Sequence, residues 1–497
     1  MWLCCTTSLL CLTAKPLDVL IVTPGLTGFS TTTTITQTGP GFEVALHRLK
    51  TVYTNIAFSH VYLYNLSIPD CGTFVYDAQY ILSKWFYEQG GDRSPMPIYI
   101  VTPGCLEPGL YNQLAAAWNM LFITVTTSDL SRDKSISPTW INTNIFPTMF
   151  LGDVFYRLFL MQNWTSVYMV LDLDSEPMYP LVFRVLDKLL RSKVQTFNIQ
   201  YSSEKEDLDF KVLLERFATQ RPRLAAFLYN IYSVMLFLGP AAQLRLLLLS
   251  AAARGHTTGE YVFIAAVPVL YKAQDTFMWQ TFDQNDEIIR AAYRSVIFVT
   301  MMDVSPSGLH VTEAQLDELK SKWAAEFKSN PFYGNQDLKN EPSIPHLASA
   351  NAAMEMLAQV LNESMADPDF DPRNGRALAR RFLNRTFDTS SGRVILDRFG
   401  DRTPSVSVSY FNDTTGDFQV YIRSNITNGD YRYSAVTPVS WFNGSYLPPN
   451  EPMCGYMGDK LECLPHTGIQ TKELFAGMGV AVVAVIVGSI CLGCLIR

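Results

Sequence analysis

Residues 18–23, Asp18-Val-Leu-Ile-Val-Thr23, are apolar at almost every position instead of at every second one. That pattern marks a strand buried on both faces. Helical spacing follows it: Phe42, Ala45, Leu46, Leu49 and Tyr53 fall on one face of a helix expected to open at Gly39-Pro40-Gly41. In a first turn Pro40 would cost nothing, because the N–H it lacks has no partner there. The runs Val61–Tyr64, Ile98–Val101 and Leu121–Val125 repeat the strand, with helices expected over 78–87 and 111–118. A second series follows, with helices over 148–160, 181–190 and 242–253 and strands over 166–171, 224–229 and 261–266. Apolar strands separated by helices predict parallel sheets covered on both faces, here in two α/β lobes.

The chain then returns. A strand over 296–299 precedes helices over 313–328, 347–361 and 376–383, and hairpin-like runs lie at 393–396, 405–411 and 418–423. This order predicts a first lobe from residues 15–147 and 300–365 and a second from 148–295 and 366–440. Residues 441–473 are rich in Pro, Gly and Asn and read as a juxtamembrane stalk. The 497 residues carry 39 Lys+Arg against 46 Asp+Glu, a net charge of -7, so no basic footprint for nucleic acid is present. Charged residues make up only 17%, which excludes a disordered, highly charged chain.

The ends suggest a compartment. Met1 to Leu12 is uncharged and Thr13-Ala14 is small, which reads as a signal peptide over 1–14, the alternative being a buried first strand. Residues 474–496 carry no charge, long enough for one transmembrane helix across a hydrocarbon core of about 30 Å. The expectation is a single-pass type I protein at the plasma membrane, N-terminus outside. Cys71, Cys105, Cys454 and Cys463 form an even set in that outer part. Sequons at Asn65, Asn163, Asn362, Asn384, Asn412, Asn425 and Asn443 are its expected glycosylation sites.

Several fragments, in order, resemble the extracellular ligand-binding region of receptor guanylate cyclases and natriuretic peptide receptors. The most specific is Pro448-Pro-Asn-Glu-Pro-Met-Cys454-Gly-Tyr456, with Trp441 before it and Cys463 after it. Gly39-Pro40-Gly41-Phe42-Glu43-Val44-Ala45-Leu46, Pro103-Gly104-Cys105, Tyr261-Val-Phe263, and Ser391-Gly392 through Gly400-Asp401-Arg402 agree in sequence order. The resemblance implies a two-lobed type I periplasmic-binding-protein-like fold, a homodimer, and an extracellular peptide or small-molecule ligand. It further implies Cys71 as the partner of Cys105, with Cys454 and Cys463 as a second pair, and chloride at the turn of Gly104 and Cys105. A tight turn needing only glycine is the alternative for that turn, and Tyr64 is the nearest hydroxyl by spacing. Thr73 and Glu107, candidate ligand contacts by position, follow Cys71 and Cys105 where the family would have an acidic residue and an aromatic, so a natriuretic ligand does not follow.

Further ligand contacts are expected from Thr31, Thr32 and Thr33 of the Thr-rich segment after the first strand, since open α/β sheets hold ligands outside their strands' carboxyl ends. A solvated loop is the alternative there. Tyr229, Tyr232, Trp279 and Phe282 are candidate recognition anchors or core aromatics. No P-loop, Gly-x-Ser-x-Gly or His-Glu-x-x-His motif occurs, and the six histidines are dispersed without metal spacing, so neither an enzyme nor a metal site is expected. The reading is a receptor that transmits a conformational change to the membrane, with a clearance or decoy receptor as the alternative.

Overall fold

The computed structural model describes residues 15–28, 33–126, 129–145, 148–175, 178–205, 209–219, 234–269, 277–302, 306–333, 344–427, 430–442, 444 and 446–448. The first lobe is laid down as β1 (Leu17–Pro24), α1 (Ile35–Val52), β2 (Ile56–Leu63), α2 (Cys71–Glu88), β3 (Ile98–Thr102), α3 (Pro108–Ala117), β4 (Phe122–Thr124) and β5 (Trp140–Asn142). The second comprises α4 (Thr148–Met161), β6 (Ser166–Asp172), α5 (Met178–Leu190), β7 (Gln195–Tyr201), α6 (Phe210–Thr219), β8 (Val234–Leu238), α7 (Ala241–Ala252), β9 (Val262–Val269), α8 (Asp286–Tyr293) and β10 (Val296–Met302). Then come α9 (Pro306–Leu309), α10 (Glu313–Ser329), α11 (Ile344–Ser364), α12 (Gly375–Arg380), β11 (Arg385–Thr389), β12 (Gly392–Leu396), β13 (Ser407–Asn412), β14 (Asp417–Thr427) and β15 (Asp430–Ala435).

The first sheet is parallel, in the order β2-β1-β3-β4-β5. The second runs β15-β14-β13-β10-β9-β8-β6-β7. Its parallel part, β7-β6-β8-β9-β10, repeats the strand order of the first sheet, and β13–β15 extend it antiparallel. This is the doubly wound order whose switch point falls beside the first strand of each lobe. The expected α/β class with parallel sheets is therefore present, with an antiparallel flank added.

The lobe boundaries differ from expectation. β10 pairs with β9 and β13, so residues 296–302 belong to the second sheet, and the return to the first lobe begins after Met302. Residues 366–402 do not lie in the second lobe. Leu378, Ala379, Phe382, Phe387, Val394 and Leu396 bury in the same core as β1 and α1, which moves the last crossing to 403–406. The reason is a clamp at the edge of the first sheet. Asn142 donates its N–H to the Gly400 carbonyl (2.8 Å) and Arg402 donates to Asn142 (3.0 Å), while Arg132 pairs with Asp397 (2.9 Å) and Asp401 (3.0 Å). Burial, with Asp397 nearby, pushes the Asp401 carboxyl up to about 6 against the pull of Arg132.

Two further expectations are corrected, and a third falls outside the described residues. α1 opens at Ile35, where the Thr34 side chain accepts the Gln37 N–H, so Pro40 lies inside the helix and not in its first turn. The expected strand 224–229 is outside the described residues, and the strand between β6 and β9 is β8. The stalk does not begin at 441: Trp441 and Leu447 are buried in the second-lobe core, and the Trp164 indole N–H donates to the Pro448 carbonyl (3.0 Å). The remainder of that segment with Cys454 and Cys463, and residues 1–14 and 474–496, lie outside the described residues. Among the described residues no helix is long and apolar enough to cross a membrane.

α11 joins the lobes. Ile344, Leu347 and Ala348 of its first turns sit in the second-lobe core, and Ala350 to Leu361 sit in that of the first. It packs on α1 at Gly41, where a Cβ would stand 2.5 Å from the Leu347 carbonyl oxygen. The small side chain lets the two helix backbones approach and carries α1 with α11.

Candidate ligand-binding site

β5 ends at Asn142 and α4 begins at Thr148, so only a few residues separate the last strand of the first sheet from the second lobe. At the edge of the first sheet, beside its switch point, lies a cavity of about 340 Å³. It is lined by Thr27 and Gly28 after β1, Thr36 on α1, Leu66, Ile68 and Pro69 between β2 and α2, and Phe332. Phe332 lies in the short turn after α10, and its ring packs beside Tyr62 and Tyr64. The cavity is thus lined by first-lobe residues brought together from three stretches of the chain.

The threonine segment shapes the polar side. Thr34 and Thr36 both donate their hydroxyls to the Gly28 carbonyl, and the two hydroxyls lie 2.8 Å apart. Thr34, Thr36 and Thr38 are buried, so this part of the segment is not a solvated loop. The apolar side is aromatic and aliphatic: the Tyr64 ring lies 5.1 Å from Phe332, and Leu66 is 76% exposed at the mouth.

Behind the cavity runs a buried polar chain. Thr23 and His60 Nε2 are 2.8 Å apart, His60 Nδ1 stands 3.3 Å from Glu43, Tyr62 donates to Glu43 (2.9 Å), and the Tyr62 and Tyr333 hydroxyls meet at 3.2 Å. Burial raises the Glu43 carboxyl, but His60 and Tyr62 outweigh it and hold it below the usual range. Hydroxyl, imidazole and carboxylate in series resemble a nucleophile with its base. Thr23, however, is fully buried and His60 nearly so, leaving no approach for a reacting carbonyl. The chain instead ties β1, β2 and α1 to the turn that carries Phe332.

Next to the cavity wall, Cys71 and Cys105 form a disulfide with Cα atoms 5.8 Å apart. Gly104 sits at φ +71°, the left-handed conformation that its missing Cβ permits. The N–H groups of this turn are already engaged: Cys105 donates to both Glu107 carboxylate oxygens (3.1 and 3.0 Å) and Leu106 donates to one (3.0 Å). The chloride expected at Gly104 and Cys105 therefore meets a nest filled by the chain's own carboxylate. Glu107 is fully buried, and burial pushes it up to about 7 in spite of those N–H bonds, which favour the anion. Among the described residues the buried Tyr111 phenol is a titratable neighbour.

The other expected site residues scatter. Thr33 is half-buried at the start of the cavity segment, while Thr31, Thr32, Tyr229 and Tyr232 lie outside the described residues. Thr73 is exposed, but both its N–H and its hydroxyl go to Asp70, the cap of α2. Glu107 faces the turn and not the cavity. Trp279 donates to the Gly416 carbonyl and Phe282 is 92% exposed on a second-lobe loop, so neither anchors this site. Among the sequons, Asn65, Asn163 and Asn384 are exposed and Asn362 and Asn412 half-buried; the Asn425 side chain and Asn443 are outside the description. Leu66, Ile68, Pro69 and Phe332 escaped sequence reasoning, because nothing local marks residues that meet from 264 positions apart, between Ile68 and Phe332. Among the described residues no group of three or more His, Cys, Asp or Glu side chains could hold a metal ion.

Comparison with known proteins agrees with this geometry. The family described as "Receptor family ligand binding region" matches residues 104–414. A similar protein is the receptor-type guanylate cyclase gcy-28 of Caenorhabditis elegans, 28% identical over 213 residues, which cover 42% of this chain and 15% of that protein. The matched part of the chain spans about a seventh of that relative.

Proposed function

The chain belongs to the receptor family ligand-binding-region proteins, and from that premise we propose that it is the extracellular part of a cell-surface receptor, with a signal peptide before it and one membrane span after it. The observation that carries the reading is the cavity at the edge of the first sheet, beside its switch point, where open α/β sheets hold ligands. A ligand shifts the populations of two lobe arrangements only by binding them with different affinity. The reading includes a homodimer and N-glycans on the exposed sequons. The similarity to a receptor guanylate cyclase supports signalling across the membrane; a clearance receptor, which needs only the binding step, is the second reading.

The test is display. An epitope placed ahead of Lys15, after the proposed cleavage site, should be reached by antibody on intact, unpermeabilised cells, and the chain should stay with membranes through alkaline carbonate. Staining only after permeabilisation would refute the reading.

A further inference from the structure

Among the described residues one Asn-x-Ser/Thr sequon borders the first-lobe cavity. Asn65 follows Tyr64, whose ring lies 5.1 Å from Phe332, and precedes Leu66, which belongs to the lining. Asn65 is exposed. Its Oδ1 accepts both the Ser67 N–H (3.0 Å) and the Ser67 hydroxyl (2.6 Å), and its carbonyl accepts the Ile68 N–H (3.2 Å). The turn therefore uses the oxygen of the Asn65 side chain and leaves Nδ2, the atom that takes a glycan, outside these bonds. The other sequons stand elsewhere. The Asn362 side chain accepts from Asn55, ahead of β2 and so at the opposite edge of the sheet; Asn384 precedes β11, and Asn163, Asn412 and Asn425 belong to the second lobe. The stretches 29–32 and 334–343, next to lining residues in the sequence, contain no sequon. The mouth itself is apolar, with Tyr64 42% and Leu66 76% exposed, the kind of rim that a folded partner's surface would cover. A glycan is bulky and hydrated. Rooted between these two side chains, it takes that volume from a folded surface and leaves the open cavity within reach of a narrow group.

We infer that a glycan on Asn65 is a size filter at the mouth of this cavity. It admits a narrow ligand, such as a small molecule or the free end of a peptide, and excludes the face of a folded protein. The inference rests on the receptor reading, since only a secreted chain meets the glycosylating enzymes, and it names the ligand class of that site by cross-section. The charge of the ligand plays no part in it.

The test labels one cysteine placed in the lining, Thr27→Cys or, as a second position, Phe332→Cys, in the full chain displayed on cells. Labelling at that position is read by peptide mass after exposure to N-ethylmaleimide or to a maleimide carried on ubiquitin. Removing the sequon by Ser67→Ala or by Asn65→Gln should speed the ubiquitin-borne reagent at least about fivefold and N-ethylmaleimide less than about twofold. Thr386→Ala, which removes the Asn384 sequon at an exposed position of β11, should change neither rate. An unchanged rate for the ubiquitin-borne reagent, an equal gain for both reagents, or the same gain from Thr386→Ala would each overturn the inference. A bare Asn65 on a chain glycosylated at its other sequons would also overturn it, and would leave the receptor reading standing. With every sequon bare the receptor reading falls, and the inference falls with it.

Discussion

Glu107 should make the stability of the first lobe depend on pH near neutrality. Its carboxyl is pushed from the usual 4.5 up to about 7, mainly by burial, with the Cys105 and Leu106 N–H bonds pulling the other way. Between those values the folded chain holds a proton that the unfolded chain has released, so stability falls as pH rises. The contribution is complete below about 4.5 and is lost as pH climbs through about 7. At about 1.4 kcal/mol per pH unit, the difference is about 3 kcal/mol. Glu107→Gln removes the titration and keeps a carbonyl acceptor for the turn. Denaturant unfolding of both proteins at pH 5 and pH 8 isolates the effect. His346, held neutral by burial and lowered to about 4, contributes the opposite slope below about 6.5. It is common to both proteins and cancels in the difference. The wild type should lose about 3 kcal/mol more than the variant between pH 5 and pH 8. Parallel pH profiles for the two proteins would refute the reasoning.

Other perturbations follow from the packing. Gly41→Ala puts a methyl against the Leu347 carbonyl oxygen and forces α1 from α11, costing about 1–3 kcal/mol in denaturant unfolding; a neutral outcome would mean the helices are less closely packed. Arg132→Ala strands Asp397 and Asp401 at the edge clamp, and since these groups are only mostly buried the loss should be about 2–3 kcal/mol, with protease cutting near the 403–406 crossing accelerated. Replacing Cys71 and Cys105 together by Ser opens a loop of sequence separation 34 and should cost about 3–4 kcal/mol by loop entropy, read by the same unfolding assay.

The sequence carried the alternation of strands and helices because burial on both faces leaves continuous apolar runs, as in β1, β3, β6 and β9. It did not carry β7, whose residues are half-buried at the edge of the sheet, or β5, which is three residues long. The lobe boundary failed for a different reason. Nothing local in residues 375–396 distinguishes packing on one α/β core from packing on another, and the decision is made by Arg132, Asp397 and Asp401 across more than 260 positions. At the site, the threonine segment and the disulfide turn were legible as composition and spacing. The role of Glu107 was not, because a carboxylate folding back onto its own turn looks, in one dimension, like any other exposed acid. Phe332 was equally silent, since its place in the cavity depends on where α10 returns the chain.

The central claim is that the two-lobed body is displayed outside the cell. Peptide mass mapping of the full chain purified from the surface of expressing cells tests it most directly. The account predicts a cross-linked pair of peptides joining Cys71 to Cys105 and glycan on Asn65, Asn163 and Asn384. Free thiols at both cysteines together with bare asparagines at all three sequons would contradict it.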